Sequence, residues 1–462
     1  MPARRALWIV CLVATLHGLF FIWYQSRDWN IFWTDQDGYR RLGQVLAATG
    51  KFTRFPDASS FVPEVIRTPA YPFFLAIIYK LFGVGQVPVA LAQTVAFAGI
   101  CLVVFAMACR VASRHTAWLA ALVTALFPPI PYFVPLVLTE VWTTLWFTVT
   151  MWLAIRALDD RRIRTFVLLG AAGGVTALSR PAFVLFPFAL AAVGVVVLPF
   201  TRTARRPTLI SWTTMLAAFA VTMLPWFTYN YVTLGTFTLS PAGGVGRGIW
   251  EGSWQAEWSG RLHSELTDLA DDADDRDALD RRVAALAARE GLPAAPMLDY
   301  VHQWQDIRRI WTEPTDASER ARARVAADRE YLRVGLENIR HQSAPHLIKR
   351  LARGVFILWA GEIPIRYSDI NSLPPAVIRI GWAIQALIVG AALYGVYVFA
   401  RGGRIDAAAL LAAPIVYVTA VHLPLLKEAR QSLPAMPIVL LLAATAIDDV
   451  ISNRRRTSPI PA

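Results

Sequence analysis

The chain has 462 residues, of which 56% are hydrophobic and only 17% charged, with a formal net charge of +12. A soluble domain is ordinarily about 25% charged, so too little polar surface is present to cover a water-soluble globule of this size. The apolar residues fall in many runs close to the roughly 20 residues that cross a bilayer, which excludes a tail-anchored soluble enzyme, a secreted protein and an outer-membrane barrel.

In chain order, the first run, residues 6–25, follows Arg4 and Arg5. It is longer than the apolar part of a signal peptide and lacks a small-residue cleavage site, so it predicts a retained first span. Further spans are predicted at 86–109, 117–136, 138–156, 163–178, 181–200, 209–230, 376–400, 407–426 and 433–450, about ten transmembrane helices in all. With that count, the basic clusters at Arg4 and Arg5, Arg110 and Arg114, 156–164, 202–206, Arg401 and Arg404, and 454–456 all fall on the cytoplasmic side. The positive-inside rule therefore accounts for the net charge better than a nucleic-acid partner does. Two short apolar segments, 70–83 and 352–361, are assigned to the outer membrane interface.

This reading divides the chain into three parts. Residues 1–230 form an N-terminal transmembrane module with a first extracytoplasmic loop at 26–85. Residues 231–375 form a larger extracytoplasmic, mostly helical region, and residues 376–462 hold the C-terminal transmembrane helices and a short basic cytoplasmic tail. Within the middle part, mixed charges with apolar residues at helical spacing predict solvated helices. The acidic run 268–280 lacks the glycine and terminal glutamate of a calcium loop, and reads as a solvated helix face or linker. The glycines at 243, 244, 246 and 248 predict a flexible loop over a site, and Trp250, Trp254 and Trp258 a core or interface stripe. Cys11, Cys101 and Cys109 lie inside apolar runs and read as small hydrophobes, with neither a disulfide framework nor a metal cluster implied. His422 has no partner histidine at ligand spacing and reads as a structural, hydrogen-bonded residue.

The polar residues near the spans gather on one side: Asp35, Asp37 and Arg67 in the first loop, Glu140 at the start of the fourth span, Arg180 in a tight turn, and Lys427, Glu428 and Arg430 before the last span. Ionisable groups at membrane depth are costly and usually functional. Arginine forks bind phosphate oxygens, and a carboxylate can take a proton from an acceptor hydroxyl. Together they suit glycosyl transfer from a polyprenyl-phosphate sugar. A transporter or flippase of lipid-linked sugars is the alternative, since it needs the same arginines but no base.

The stretches TDQDGYRRLGQVLAATGKF and RTPAYPFFLAIIYKLFG, followed by LTEVWTTLWF, LSRPAFVLFP, LPWFTYNYVTLGTF and KEARQSLPAMPIVLLLAA, resemble in order the landmarks of the GT-C glycosyltransferases of the protein mannosyltransferase and aminoarabinose transferase type (family 39-like). The resemblance implies an all-α, polytopic GT-C fold in the inner (plasma) membrane, with its active site facing the periplasm or exterior. It implies an inverting hexosyl- or pentosyltransferase whose donor is a polyprenyl-phosphate sugar and whose acceptor is an envelope glycolipid, a glycan such as lipopolysaccharide, or a protein. Asp35, four residues before Tyr39, is the implied catalytic base, with Asp37 the second candidate. Where the protein mannosyltransferases usually carry Glu after this aspartate, this chain has Gln36. Arg67, Arg180 and Arg430 are the implied donor-phosphate ligands, with Gln431 where the family usually has Tyr. Glu140 is a candidate to orient the acceptor or bind a cation, with a helix N-terminal carboxylate favoured by the macrodipole as the alternative. No cofactor is required, and a divalent cation is compatible.

Overall fold

In a computed structural model of the chain, residues 3–26, 34–196, 209–272, 275–361, 363–365 and 372–457 are described below. Among them every regular element is helical. Seven helices are long and apolar enough to cross a membrane: α1 (Leu7–Gln25 of Ala3–Gln25), α4 (Gln86–Val111), α7 (Glu140–Asp160), α10 (Leu209–Leu234), α17 (Pro375–Arg401), α18 (Ile405–His422) and the last span, Ala429–Ser452, which comprises a 3-10 turn, Ala429–Ala435, and most of α19 (Met436–Thr457). The protein is thus a multi-pass membrane protein.

The other three predicted spans correspond to shorter helices. Residues 163–178 form α8 (Ile163–Ser179), and the described part of 181–200 contains α9 (Phe186–Val196). The predicted span 117–136 is helical only in α5 (Arg114–Leu126). Pro128, Pro129, Pro131 and Pro135 follow at once, and proline offers no N–H to continue a helix. The chain beyond Leu126 instead runs as a buried irregular segment around a single turn, α6 (Pro129–Tyr132), until α7 begins. Prolines stand inside α10 (Pro225) and α18 (Pro414), as membrane-spanning helices tolerate.

The two ends of the bundle differ. At one end Arg110 pairs with Asp159 (2.8 Å), His115 with Asp448 (2.8 Å) and Arg401 with Asp449 (2.7 Å), so the ends of α4, α7, α17 and α19 that carry predicted cytoplasmic arginines meet in space, while the cluster at 202–206 lies outside the described residues. At the other end α2 (Thr34–Thr49) and the 13-residue α3 (Ala70–Phe82) lie between α1 and α4, and the helices between α10 and α17 gather there. These are α11 (Val245–Trp254), α12 (Gly260–Asp272), α13 (Arg276–Glu290), α14 (Ala294–Thr312), α15 (Ala317–His341) and α16 (Ala344–Trp359). They enclose a second core around Trp250, which is fully buried and stacks on Tyr300 with ring centroids 4.9 Å apart. Trp250 and Trp258 belong to that core and Trp254 packs against it, as the stripe predicts.

The glycine-rich stretch is half turn and half helix: Gly243 and Gly244, the latter with φ +89°, make the bend that opens α11, while Gly246 and Gly248 lie inside it. Gly246 lies so close to α15 that an added Cβ would stand 1.8 Å from the Asp328 carbonyl oxygen, so that glycine serves close helix packing. The described parts of the acidic run lie at the end of α12 and the start of α13, where Asp275 caps the helix by accepting from the backbone N–H groups of Asp277 and Ala278. The three cysteines are free; Cys101 is buried as expected, whereas Cys109 is exposed on the outside of the bundle. The His422 ring hydrogen-bonds through Nδ1 to the Val418 carbonyl oxygen one turn back (2.8 Å), in keeping with a structural role.

Candidate active site at one end of the bundle

The site is assembled from five separate stretches of chain. The start of α2 is tied down by Gln36, whose side-chain oxygen accepts a hydrogen bond from the Val137 backbone N–H (2.8 Å). That bond joins the helix carrying Asp35 to the proline-rich segment that delivers Glu140, the first residue of α7.

Glu64 shapes the connection from α2 to α3. It is only 2% exposed, and its carboxylate accepts from the backbone N–H of Ile66 (3.0 Å) and Arg67 (3.2 Å) and from Arg54 Nε (2.5 Å). The turn so formed sends Arg67 back onto α2. Its guanidinium lies 4.8 Å from the centre of the Tyr39 ring, with Nη2 3.7 Å from Asp35 Oδ1 and Nη1 3.8 Å from Glu64 Oε1. A residue without a Cβ is needed beneath it: at Gly38 an added Cβ would stand 2.2 Å from Arg67 Nη2.

On the far side of Tyr39, the 3-10 turn Ala429–Ala435 presents Arg430, whose Nη1 is 3.5 Å from Glu140 Oε1 and whose Nε donates to Glu428. Glu140 is 3% exposed, and its Oε2 has no hydrogen-bond partner among the described residues. Burial alone would push the Glu428 carboxyl up, but Arg430 and Arg180 hold it below its ordinary value. Arg180 occupies the break between α8 and the 3-10 turn Pro181–Phe183. Burial lowers its pKa against the opposing charge of Glu140, and its Nη1 is buried without a partner among the described residues. Tyr39 joins the halves: burial pushes its phenol up to about 12, with the charges of Arg67, Asp35, Glu140 and Arg180 all acting on it.

Five of the six residues singled out from sequence therefore converge. Asp37 does not join them. Its carboxylate pairs with Arg40 one turn along α2 (2.7 Å), whereas Asp35, with 66% of its side chain exposed, stands at the open edge of the cluster next to Arg67. Arg67 and Arg430 already hold carboxylates, whereas Arg180 pairs with none among the described residues; Arg180 Nη1 and Arg67 Nε are both buried donors without a partner there, open to an incoming anion. Sequence reasoning missed Glu64 and the bridging role of Tyr39. The i,i+3 spacing of Glu64 and Arg67 before Pro69 was the available signal for the first. Among the described residues no group of three or more His, Cys, Asp or Glu side chains could hold a metal ion.

Comparison with solved structures gives the architecture a name. The chain aligns over 99% of its length with the archaeal oligosaccharyltransferase AglB from Archaeoglobus fulgidus, at a TM-score of 0.55 and 14% identity. The fold is that of a GT-C glycosyltransferase. A second structure of the same archaeal GT-C protein, tethered to an acceptor peptide, matches over 97% of this chain at TM-score 0.54 and 14% identity and is itself covered over 50%. The chain covers 52% of the first AglB structure, so it spans about half the length of that GT-C protein. ArnT from Cupriavidus metallidurans, solved bound to undecaprenyl phosphate, aligns with 91% of this chain and 74% of its own at 14% identity and TM-score 0.39. Residues 66–226 match the family model described as dolichyl-phosphate-mannose-protein mannosyltransferase, a GT-C family. No curated protein matches the sequence.

Proposed function

We propose that this protein is a membrane glycosyltransferase that moves a sugar from a polyprenyl-phosphate donor to an envelope glycolipid, glycan or protein acceptor on the extracytoplasmic face of the plasma membrane. The observation that carries this reading is the exposed carboxylate of Asp35 at the edge of a buried arginine and glutamate cluster with an unspent donor at Arg180, all at one end of a GT-C bundle. The opposite end holds the basic clusters, which the positive-inside rule assigns to the cytoplasm. The archaeal GT-C structure contains a dolichol-phosphate and an inhibitory peptide, which supports a lipid-phosphate donor here.

The reaction is a single inverting displacement. Asp35 takes the proton from the acceptor hydroxyl as its oxygen attacks the anomeric carbon; the bond from that carbon to the phosphate oxygen breaks, and the lipid phosphate leaves with the electron pair. Arg180 receives the phosphate most directly, and Arg67 and Arg430 complete the positive wall opposite it. Glu140 sets the direction of Arg430. In this reading helices α11 to α16 make up the extracytoplasmic region proposed for residues 231–375, between the N-terminal and C-terminal membrane helices.

The test compares three otherwise identical host strains by mass spectrometry of envelope lipids and glycans: intact, deleted, and Asp35→Asn at matched protein level. Loss of the same sugar from the last two supports transfer with Asp35 as base. Retention of the sugar by the Asp35→Asn strain overturns that assignment.

A further inference from the structure

Away from the arginine cluster, two more cations are buried together. Lys427 is 2% exposed and Arg350 4%. Lys427 Nζ and Arg350 Nε have no hydrogen-bond partner among the described residues, and Arg350 makes one long bond, from Nη1 to the Gly252 carbonyl oxygen (3.4 Å). The charge that acts on Lys427 is that of Arg350, of the same sign. Neither is paired with a carboxylate among the described residues.

The lysine side chain is firmly aimed. Gln255 clamps the Lys427 backbone, donating to its carbonyl oxygen (2.7 Å) and accepting from its N–H (3.0 Å). The lysine stem then lies against α16 at Gly354, one turn after Arg350, where an added Cβ would stand 2.8 Å from Lys427 Cε. Its direction is away from Glu428 and Arg430, which face Glu140 and Arg180. Burying two like charges side by side is expensive unless an anion joins them.

We infer that Lys427 and Arg350 form a second anion site, which takes a phosphate group between α16 and the turn before the last span. Phosphate suits the pair because its oxygens can accept at once from a lysine ammonium and from a guanidinium edge. The same helix exposes Ile348 (66%) and Phe356 (52%) on its other side, so the site sits where an apolar surface meets the polar module. The group comes either from a phospholipid head or from soluble phosphate.

The test uses the full chain in detergent at pH 6.5, in an Arg180→Gln background that silences the candidate active site. Inorganic phosphate raises the melting temperature relative to chloride at equal ionic strength. Lys427→Met and Arg350→Met each weaken this response by about tenfold or more, the size expected for a charged hydrogen bond. Without phosphate, Lys427→Met melts at or above its parent, because an uncompensated cation has gone. A merely structural lysine would give a lower melting temperature with the phosphate response intact, which overturns the inference. If the Met variants do not fold, Lys427→Arg must keep the response and Lys427→Gln must lose it. Phosphorus analysis of protein purified in mild detergent separates the sources: phospholipid retained by the parent and lost from Lys427→Met supports a lipid head, and no retained lipid with an intact phosphate response supports soluble phosphate. Neither retained lipid nor phosphate response overturns the site.

Discussion

Replacing Gly38 with alanine separates stability from chemistry. A glycine-to-alanine change inside a helix ordinarily stabilises by about 0.5–1 kcal/mol. In α2 the new methyl would stand 2.2 Å from Arg67 Nη2, 2.4 Å from Cζ and 2.9 Å from Nη1, so the guanidinium must leave. What the fold loses is small: an ion pair to the exposed Asp35 contributes under about 1 kcal/mol and the contact with the Tyr39 ring about 0.5–2 kcal/mol, while the buried Glu64 loses the 3.8 Å approach of Arg67 but keeps Arg54 and two backbone N–H donors. Gain and loss nearly cancel, and the melting temperature should move by no more than about 4 °C. The chemistry has no such compensation. If Arg67 helps to hold the departing phosphate, displacing it costs on the order of a hundredfold in rate, the scale of removing one preorganised donor. Transfer of a radiolabelled sugar from membrane extracts to acceptor, measured beside thermal unfolding, reads both quantities. A Gly38→Ala protein that folds and transfers at the wild-type rate would refute the placement of Arg67 in the reaction.

Other substitutions probe the remaining parts. Asp35→Asn should cut transfer by about 10²–10⁴-fold, the range of a lost general base, while Asp37→Asn, which removes only the contact with Arg40, should leave the rate near wild type. Arg430→Met removes the direct ion pairs of the buried Glu140 and the partly buried Glu428, leaves both acids to Arg180 alone, and should destabilise by up to about 3–5 kcal/mol in denaturant unfolding. Trp250→Ala should cost about 3–5 kcal/mol in the second core, read as new protease cleavage within 245–341 while the membrane helices stay intact. Burial and the charge of Arg350 hold Lys427 down to about 7, whereas the unfolded chain keeps its lysine protonated up to 10.5. Between those values the unfolded state binds the extra proton, so stability rises with pH; below about 7 the whole cost remains. Without phosphate, the melting temperature of the wild type should therefore climb relative to Lys427→Met from pH 6 to 9.

The membrane class was legible because hydropathy and arginine placement act over whole segments and do not depend on neighbours. The one-sided gathering of Asp35, Arg67, Glu140, Arg180 and Arg430 was legible for the same reason: each sits at a span end that parity sends to one side. What spacing along the chain could not supply was orientation. Asp35 and Asp37 differ by two positions on a helix, and only the turn made by Glu64 decides which of them meets Arg67. Span 117–136 was overextended because the apolar run continues through four prolines, and burial there is served by irregular chain. Gly246, within the glycine-rich stretch 243–248, was misread for a related reason. Glycine marks either mobility or close contact, and the choice rests on α15, some eighty residues further on, as the Gly246 hydrogen bond to Asp328 shows.

The pairing of Glu140 with Arg430 also bears on how the protein is made. The carboxylate enters the bilayer region with α7, yet its cation arrives with the last span, after most of the chain has been synthesised. Until then the only cation of the site that bears on Glu140 is Arg180, which arrives between α8 and α9, and the direct ion pair to Arg430 is missing. Insertion of the final helix therefore closes the bundle and completes the pairing of Glu140 in one step. A chain that stops short of residue 430 lacks both the last span and that partner, and carries a half-paired acid at the mouth of its site.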